Sequence, residues 1–168
     1  MADADALLEP LIPALRRYAY ALLRDHDAAD DLVQDTLERA LSRWRLRRPD
    51  GDLRAWLFTI QRNLFVNDWR QRRRRGPHAR LDDVAPPGTA AQQEAGLEVQ
   101  DVLAALDQLP EEQKSLLLLI GVEDFSYDDA ARILGVPMGT VMSRLSRGRQ
   151  KLRSILETGR ATLLRRVK

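Results

Sequence analysis

The sequence predicts an all-α protein of two small helical domains joined by a flexible linker, the second domain containing a helix-turn-helix. Leu and Ala number 48 against 20 for Val, Ile and Thr together, so residues that keep their rotamer freedom in a helix outnumber those suited to strands. Residues 76–96 hold three prolines and three glycines with hardly any large apolar side chains, too little to offset the entropy of ordering. On both sides of that segment apolar residues recur at intervals of three and four. The 168 residues therefore divide into a module 1–75, a linker 76–96 and a module 97–168. At this size a single core gives each module only about 3 to 5 kcal/mol, so docking to partners is expected.

In the first module Leu8, Leu11, Ile12, Leu15, Ala19, Leu22 and Leu23 mark a helix that ends near Arg24, with Pro10 and Pro13 blurring its start. Asp25 or Asp27 can cap a second helix, whose inward stripe is Ala29, Leu32, Val33, Thr36, Leu37, Ala40, Leu41 and Trp44. Its other face gathers Asp27, Asp31, Gln34, Asp35 and Glu38. Compensation of the helix dipole explains acidic residues only in the first turn, so this strip is either a solvated face or a docking face.

Pro49, Asp50 and Gly51 break the pattern, and a third helix is expected from Leu53 to Arg75 over a core stripe of Leu53, Trp56, Leu57, Ile60 and Leu64. Asn63, Asn67, Arg70 and Arg74 share one of its faces, Phe58, Arg62, Phe65 and Trp69 line a flank, and Arg72, Arg73, Arg74 and Arg75 close it. Rings can stack exposed bases, amides can read their edges and arginines can hold phosphate, which is what a single-stranded nucleic-acid site requires. Phe58, Phe65 and Trp69 could equally be core.

In the second module Leu97, Val99, Val102, Leu103, Leu106 and Leu109 mark a helix that ends at Pro110, and another runs through Leu116 to Val122. Ser126 with Asp129 forms a capping-box-like start for a helix with Ala130, Ala131, Ile133 and Leu134 inward, which Gly135 can end in a left-handed turn. After Val136-Pro137-Met138-Gly139, Thr140 is expected to cap a helix with Val141, Leu145, Gly148 and Leu152 inward. This is a helix-turn-helix, whose second helix reads the major groove. Outward point Ser143, Arg144, Arg147, Gln150 and Lys151. An arginine bidentate to guanine gives about 1 to 3 kcal/mol of discrimination. Gly148, on the inward stripe, points to a close helix approach.

Charge agrees with this division. The net charge of +2 resolves into −6 for residues 1–38, +9 for 39–75, −10 for 76–131 and +9 for 132–168. Two basic blocks suggest two surfaces that face polyanions. The chain has no cysteine, and His26 and His78 stand too far apart for a simple ligand pair, so neither disulfides nor a metal site is expected. No nucleophile with base and orienter and no phosphate loop is visible, so an enzyme is not expected and no cofactor is implied. The longest apolar run, Leu116 to Val122, is far short of the ~20 residues that span a bilayer. An acidic N-terminus is unlike a signal peptide. A cytoplasmic protein without membrane insertion is expected.

At this point three stretches, in order, resemble the extracytoplasmic-function sigma factors of bacterial RNA polymerase. DAADDLVQDTLERAL is similar to region 2.2, AWLFTIQRNLFVNDWRQRRRR to regions 2.3 and 2.4, and FSYDDAARILGVPMGTVMSRLSRGRQKLR to region 4.2. The resemblance implies that Asp31, Leu32, Gln34, Asp35 and Glu38 dock on the polymerase clamp, the second module meeting the flap. It implies that the loop 45–52 and the third helix open the −10 element, with Asn63 and Asn67 as base readers and Arg70, Arg73 and Arg74 beside them. Thr140, Ser143, Arg144, Arg147 and Lys151 would bind the −35 element. The implied partners are core RNA polymerase, promoter DNA and a dedicated anti-sigma factor, with the free chain a monomer. Met142 stands where the family often has a basic residue, and Gln61 and Gly148 stand where alanine is usual. Two other functions fit the residues less well: a stand-alone helix-turn-helix regulator, and a sigma-like decoy that sequesters an anti-sigma factor. Neither a stand-alone regulator nor its operator gives a reason for a third helix equipped for unpaired bases.

Overall fold

The computed structural model describes residues 2–75 and 97–167, and every regular element among them is helical. The linker expected over 76–96 lies outside the described residues. These residues fall into two compact units, one holding 2–75 and 132–135 and the other the rest of 97–167.

The first unit opens with a short helix α1 (Ala2–Leu8), which the sequence did not suggest, with Ala4 and Leu8 buried. The prolines act as starts rather than breaks. Pro10 begins the 3₁₀ turn Glu9–Leu11, and Pro13 sits in the first turn of α2 (Ile12–Leu23), where the missing N–H has no partner to lose. Arg24 ends α2 in the left-handed region, φ 57°, its N–H donating to the Tyr20 carbonyl at 2.7 Å. Of the two possible caps it is Asp25 that starts α3 (His26–Ser42): its Oδ1 accepts from the Ala28 N–H at 2.9 Å. Asp52 starts α4 (Leu53–Arg74) in the same way, accepting from Ala55 at 3.2 Å.

Helices α2, α3 and α4 pack on one another around Leu15, Tyr18, Leu22, Ala29, Val33, Ala40, Leu57, Phe58 and Phe65. Tyr18 and Phe58 meet with ring centroids 5.3 Å apart. Thr36, wholly buried, satisfies its hydroxyl by donating to the Leu32 carbonyl at 2.7 Å. Gln61, also wholly buried, donates from Nε2 to the Leu15 carbonyl at 2.9 Å and so ties α4 to α2. Two expected core positions are corrected. Leu41 is exposed at the end of α3, and Trp44 has left the helix for the 3₁₀ turn Trp44–Leu46, half-buried and edge-on to Trp56 at 6.3 Å.

From residue 97 onward the elements are α5 (Leu97–Asp107), α6 (Glu111–Leu117), a π-helical turn Leu118–Val122, α7 (Tyr127–Leu134) and α8 (Met138–Val167). The helix expected through Leu116 to Val122 widens at Leu118, where the Glu123 N–H reaches the Leu118 carbonyl at 3.0 Å. Ser126 caps α7 as the sequence indicates, its Oγ accepting from Asp129 at 3.0 Å. Gly135, at φ 66°, closes α7 with Gly135 N–H to Arg132 and Val136 N–H to Ala131, the paired bonds of a Schellman motif that favours glycine.

Thr140 does not cap α8. That helix begins two residues earlier, at Met138, with the Pro137 carbonyl accepting from Thr140 at 3.0 Å and Val141 at 3.2 Å. Val141 and Leu145 are buried, and the helix continues past Glu157 to Val167. Gly148 faces α6: a Cβ there would stand 3.3 Å from Leu117 Cδ1 and 3.4 Å from Gln113 Cβ. The Leu117 tip can turn aside, and alanine gains about 1 kcal/mol of helix propensity over glycine. Gly148→Ala is therefore expected to change stability by less than about 1 kcal/mol, whereas Gly148→Val should lose about 1 to 3 kcal/mol by overpacking. Denaturant unfolding of both variants checks this.

Candidate nucleic-acid and docking interfaces

On α3, Asp27, Asp31, Gln34, Asp35 and Glu38 are all exposed, and Gln34 donates to Glu38 at 3.4 Å. Leu32 is different. It is 5% exposed and belongs to the core, so it floors the acidic strip rather than forming part of its surface. Between α3 and the end of α4 lies a groove of about 240 Å³ lined by Asp31, Leu32, Asp35, Asp68, Trp69 and Arg72 among others. Partial loss of water raises the Asp35 carboxyl above its ordinary range, and Glu38, Asp68 and Asp31 raise it further. The charges of this face repel one another, so a basic partner would relieve it. Asp68 was not among the expected residues, because only the packing of α3 on α4 shows that it joins the strip.

On α4 the structure separates the flank read from the sequence. Phe58, Arg62 and Phe65 are buried, so these two rings are core and cannot stack bases. Trp69 is 41% exposed, with the Arg73 guanidinium 4.6 Å from its ring centroid. Asn63, Asn67, Arg70 and Arg74 are all exposed at spacings of four, three and four, which keeps them on one face. Asp68 and Arg72 fall on the opposite side of the helix, so the amide and arginine face and the acidic groove can be occupied together. Before α4, Leu46 projects with 82% of its surface exposed among the exposed Arg43, Arg45 and Arg48. Arg47 lies 4.3 Å from the Trp44 ring centroid and fixes the turn.

On α8, Ser143, Arg147, Gln150 and Lys151 are exposed and Thr140 is half-buried. The Ser143 hydroxyl donates back to the Thr140 carbonyl at 3.2 Å. Arg144 lies at the edge of this face, turned toward α6, where its Nη2 is 3.5 Å from Glu112 Oε2. Met142 is exposed beside them.

Residues 8–61 match the family "Sigma2 domain of PhyR" and residues 100–152 match "Sigma-70, region 4". The sequence is 46% identical over 145 residues to the ECF RNA polymerase sigma factor EcfG of Rhodopseudomonas palustris, covering 86% of this chain and 80% of that one. The chain belongs to the extracytoplasmic-function sigma factors of RNA polymerase. This sigma factor is also 36% identical over 143 residues to SigM of Mycobacterium tuberculosis, covering 71% of that protein.

Among solved structures, the sigma factor is similar to RpoE from Bartonella quintana in complex with the anti-sigma factor NepR. The TM-score is 0.81 and the identity 40%, over 94% of this chain and 98% of that one. CnrH in complex with the cytosolic domain of CnrY follows, at TM-score 0.68 and 27% identity over 92% of this chain and 88% of that one. The second family span contains Thr140 to Lys151, while the first ends before Asn63. The amide and arginine face of α4 therefore rests on this sigma factor's own sequence and geometry. Among its described residues no helix is long and apolar enough to cross a membrane.

Proposed function

We propose that this sigma factor docks on the clamp of core RNA polymerase through the α3 strip, opens the −10 element with the loop 45–52 and α4, and reads the −35 element with α8. The two DNA-facing units are 1–75 and 97–168, joined by 76–96, and the second also meets the polymerase flap. The observation that carries this reading is the presence, in one sigma-family chain, of two basic faces with different chemistry. Asn63, Asn67, Arg70, Arg73 and Arg74 offer amides and guanidinium groups suited to unpaired bases. Ser143, Arg144, Arg147 and Lys151 sit on the second helix of a helix-turn-helix suited to paired ones. Trp69, the exposed ring of α4, lines the acidic groove and so belongs with the docking face rather than with the base-reading face. Thr140, in the first turn, supplies a phosphate contact. The protein acts in the cytoplasm without catalytic chemistry of its own, and free of polymerase it is a monomer held by an anti-sigma factor, as the solved RpoE is by NepR.

Binding to a labelled promoter duplex, with and without core polymerase, tests the proposal. The isolated protein should bind weakly, and adding core polymerase should give specific complexes that weaken steeply with salt. Tight sequence-specific binding by the protein alone would instead favour a stand-alone regulator. Within the polymerase complex, Arg147→Ala should cost about 1 to 3 kcal/mol at one −35 base pair and little elsewhere. Equal losses on all sequences would make Arg147 a phosphate contact.

A further inference from the structure

We infer that Glu112, on α6, is a positioning residue for base reading by Arg144 on α8. The inference rests on the reading of α8 as the −35 helix. Arg144 differs from the other cations of its face: its side chain is only 26% exposed, and its Nη2 stands 3.5 Å from Glu112 Oε2. The contact is built into the packing of the unit. One turn along α8, Gly148 lets α6 approach until Gln113 Cβ would stand 3.4 Å and Leu117 Cδ1 3.3 Å from a side chain placed there. That close approach brings the residue before Gln113, which is Glu112, within reach of the residue four before Gly148, which is Arg144.

An arginine carries a planar fork of five N–H donors. A carboxylate within charge contact of one corner draws the guanidinium toward α6 and narrows its range of orientations, leaving the far edge for the two acceptors of a guanine. An arginine already oriented loses less freedom on docking. Glu112 also has a cost, because a carboxylate beside DNA repels phosphate whatever the sequence. It therefore exchanges general affinity for discrimination. An exposed Lys or Arg at the rim would do the reverse.

The test uses the complex with core polymerase and a set of promoters altered one base pair at a time across the −35 element. Arg144→Ala first identifies the base pair that this residue reads. Glu112→Gln, which keeps size and removes charge, should lower the preference at that same base pair about 3- to 10-fold while leaving affinity for unrelated DNA equal or higher. In the Arg144→Ala background Glu112→Gln should change that preference no further. Unchanged preference at that pair, an equal change at every pair, or a loss that persists without Arg144 would each overturn the inference and leave the −35 reading standing. If Arg144→Ala alters no base pair, Arg144 is not a reader and the inference falls with that part of the proposed function. Glu112 is 61% exposed, so its neutral variant is expected to fold, and a matched thermal unfolding curve verifies this.

Discussion

Asp35→Arg is expected to weaken assembly with core RNA polymerase by about tenfold or more while leaving helical content unchanged. The side chain lies in the middle of the acidic strip, between Asp31 and Glu38 on α3 and facing Asp68 across the groove. A cation there would meet a basic partner surface with like charge and would pair internally with the three carboxylates that the partner should engage. Because Asp35 is exposed, the substitution disturbs no core contact. Competition of wild-type and variant protein for core polymerase gives the ratio directly, and equal occupancy would show that the α3 strip is not the docking face.

The neutral variant separates docking from folding. The Asp35 carboxyl is held above the ordinary carboxylate range, chiefly by partial loss of water and then by Glu38, Asp68 and Asp31. A carboxyl that holds its proton more firmly in the folded chain favours folding in acid, and that contribution is lost as pH rises from the unfolded value through the folded one. Near neutral pH the ionised group therefore opposes folding slightly. Asp35→Asn should unfold at a slightly higher temperature than wild type at pH 7, with the difference disappearing in acid, and should still bind polymerase less well. A residue kept for stability alone would show the opposite pair of results.

Phe58→Ala is expected to have the largest effect on folding. Phe58 is wholly buried against Tyr18 in the first unit, and removing such a ring costs about 3 to 5 kcal/mol. A unit of this size holds only about 3 to 5 kcal/mol in all. The first unit should therefore be largely unfolded at 37 °C while α5 to α8 keep their structure, since 2–75 and 97–168 are proposed to fold separately. Hydrogen exchange read by peptide checks this: protection should vanish in α2 to α4 and persist around Leu116, Val141 and Leu145. Loss of protection in both units at once would mean that they fold as one.

The features that the sequence conveyed were those set by local chemistry. Gly135 needs only its own left-handed φ, and Ser126 needs only an N–H three residues on, so both were legible. The acidic strip was legible too, because Asp31, Asp35 and Glu38 lie on one helix and need no neighbour to be placed together. What failed depended on a second element. Asp25 and Asp27 were equivalent caps until the entry of the chain into α3 decided between them. Thr140 looked like a cap because its hydroxyl suits the role, yet Pro137, with φ already fixed near the helical value, starts α8 earlier.

Phe58, Phe65 and Trp69 share one flank of α4, and no spacing rule distinguishes a ring beneath α2 and α3 from one beyond their ends. Leu41 reads as inward by period but falls where α3 has outrun its partners. The contacts of Asp68 with the acidic strip and of Glu112 with Arg144 join residues 33 and 32 positions apart, and only packing reveals them.

The account depends on one chain holding promoter DNA unpaired at α4 and paired at α8, and permanganate probing of thymines on a promoter duplex tests it most directly. With core polymerase present, thymines of the −10 element should become reactive while the −35 element remains paired and protected, and Asn63→Ala with Asn67→Ala should reduce that reactivity without removing the −35 protection. Protection at both elements with no reactive thymine, or the same pattern without core polymerase, would contradict the account.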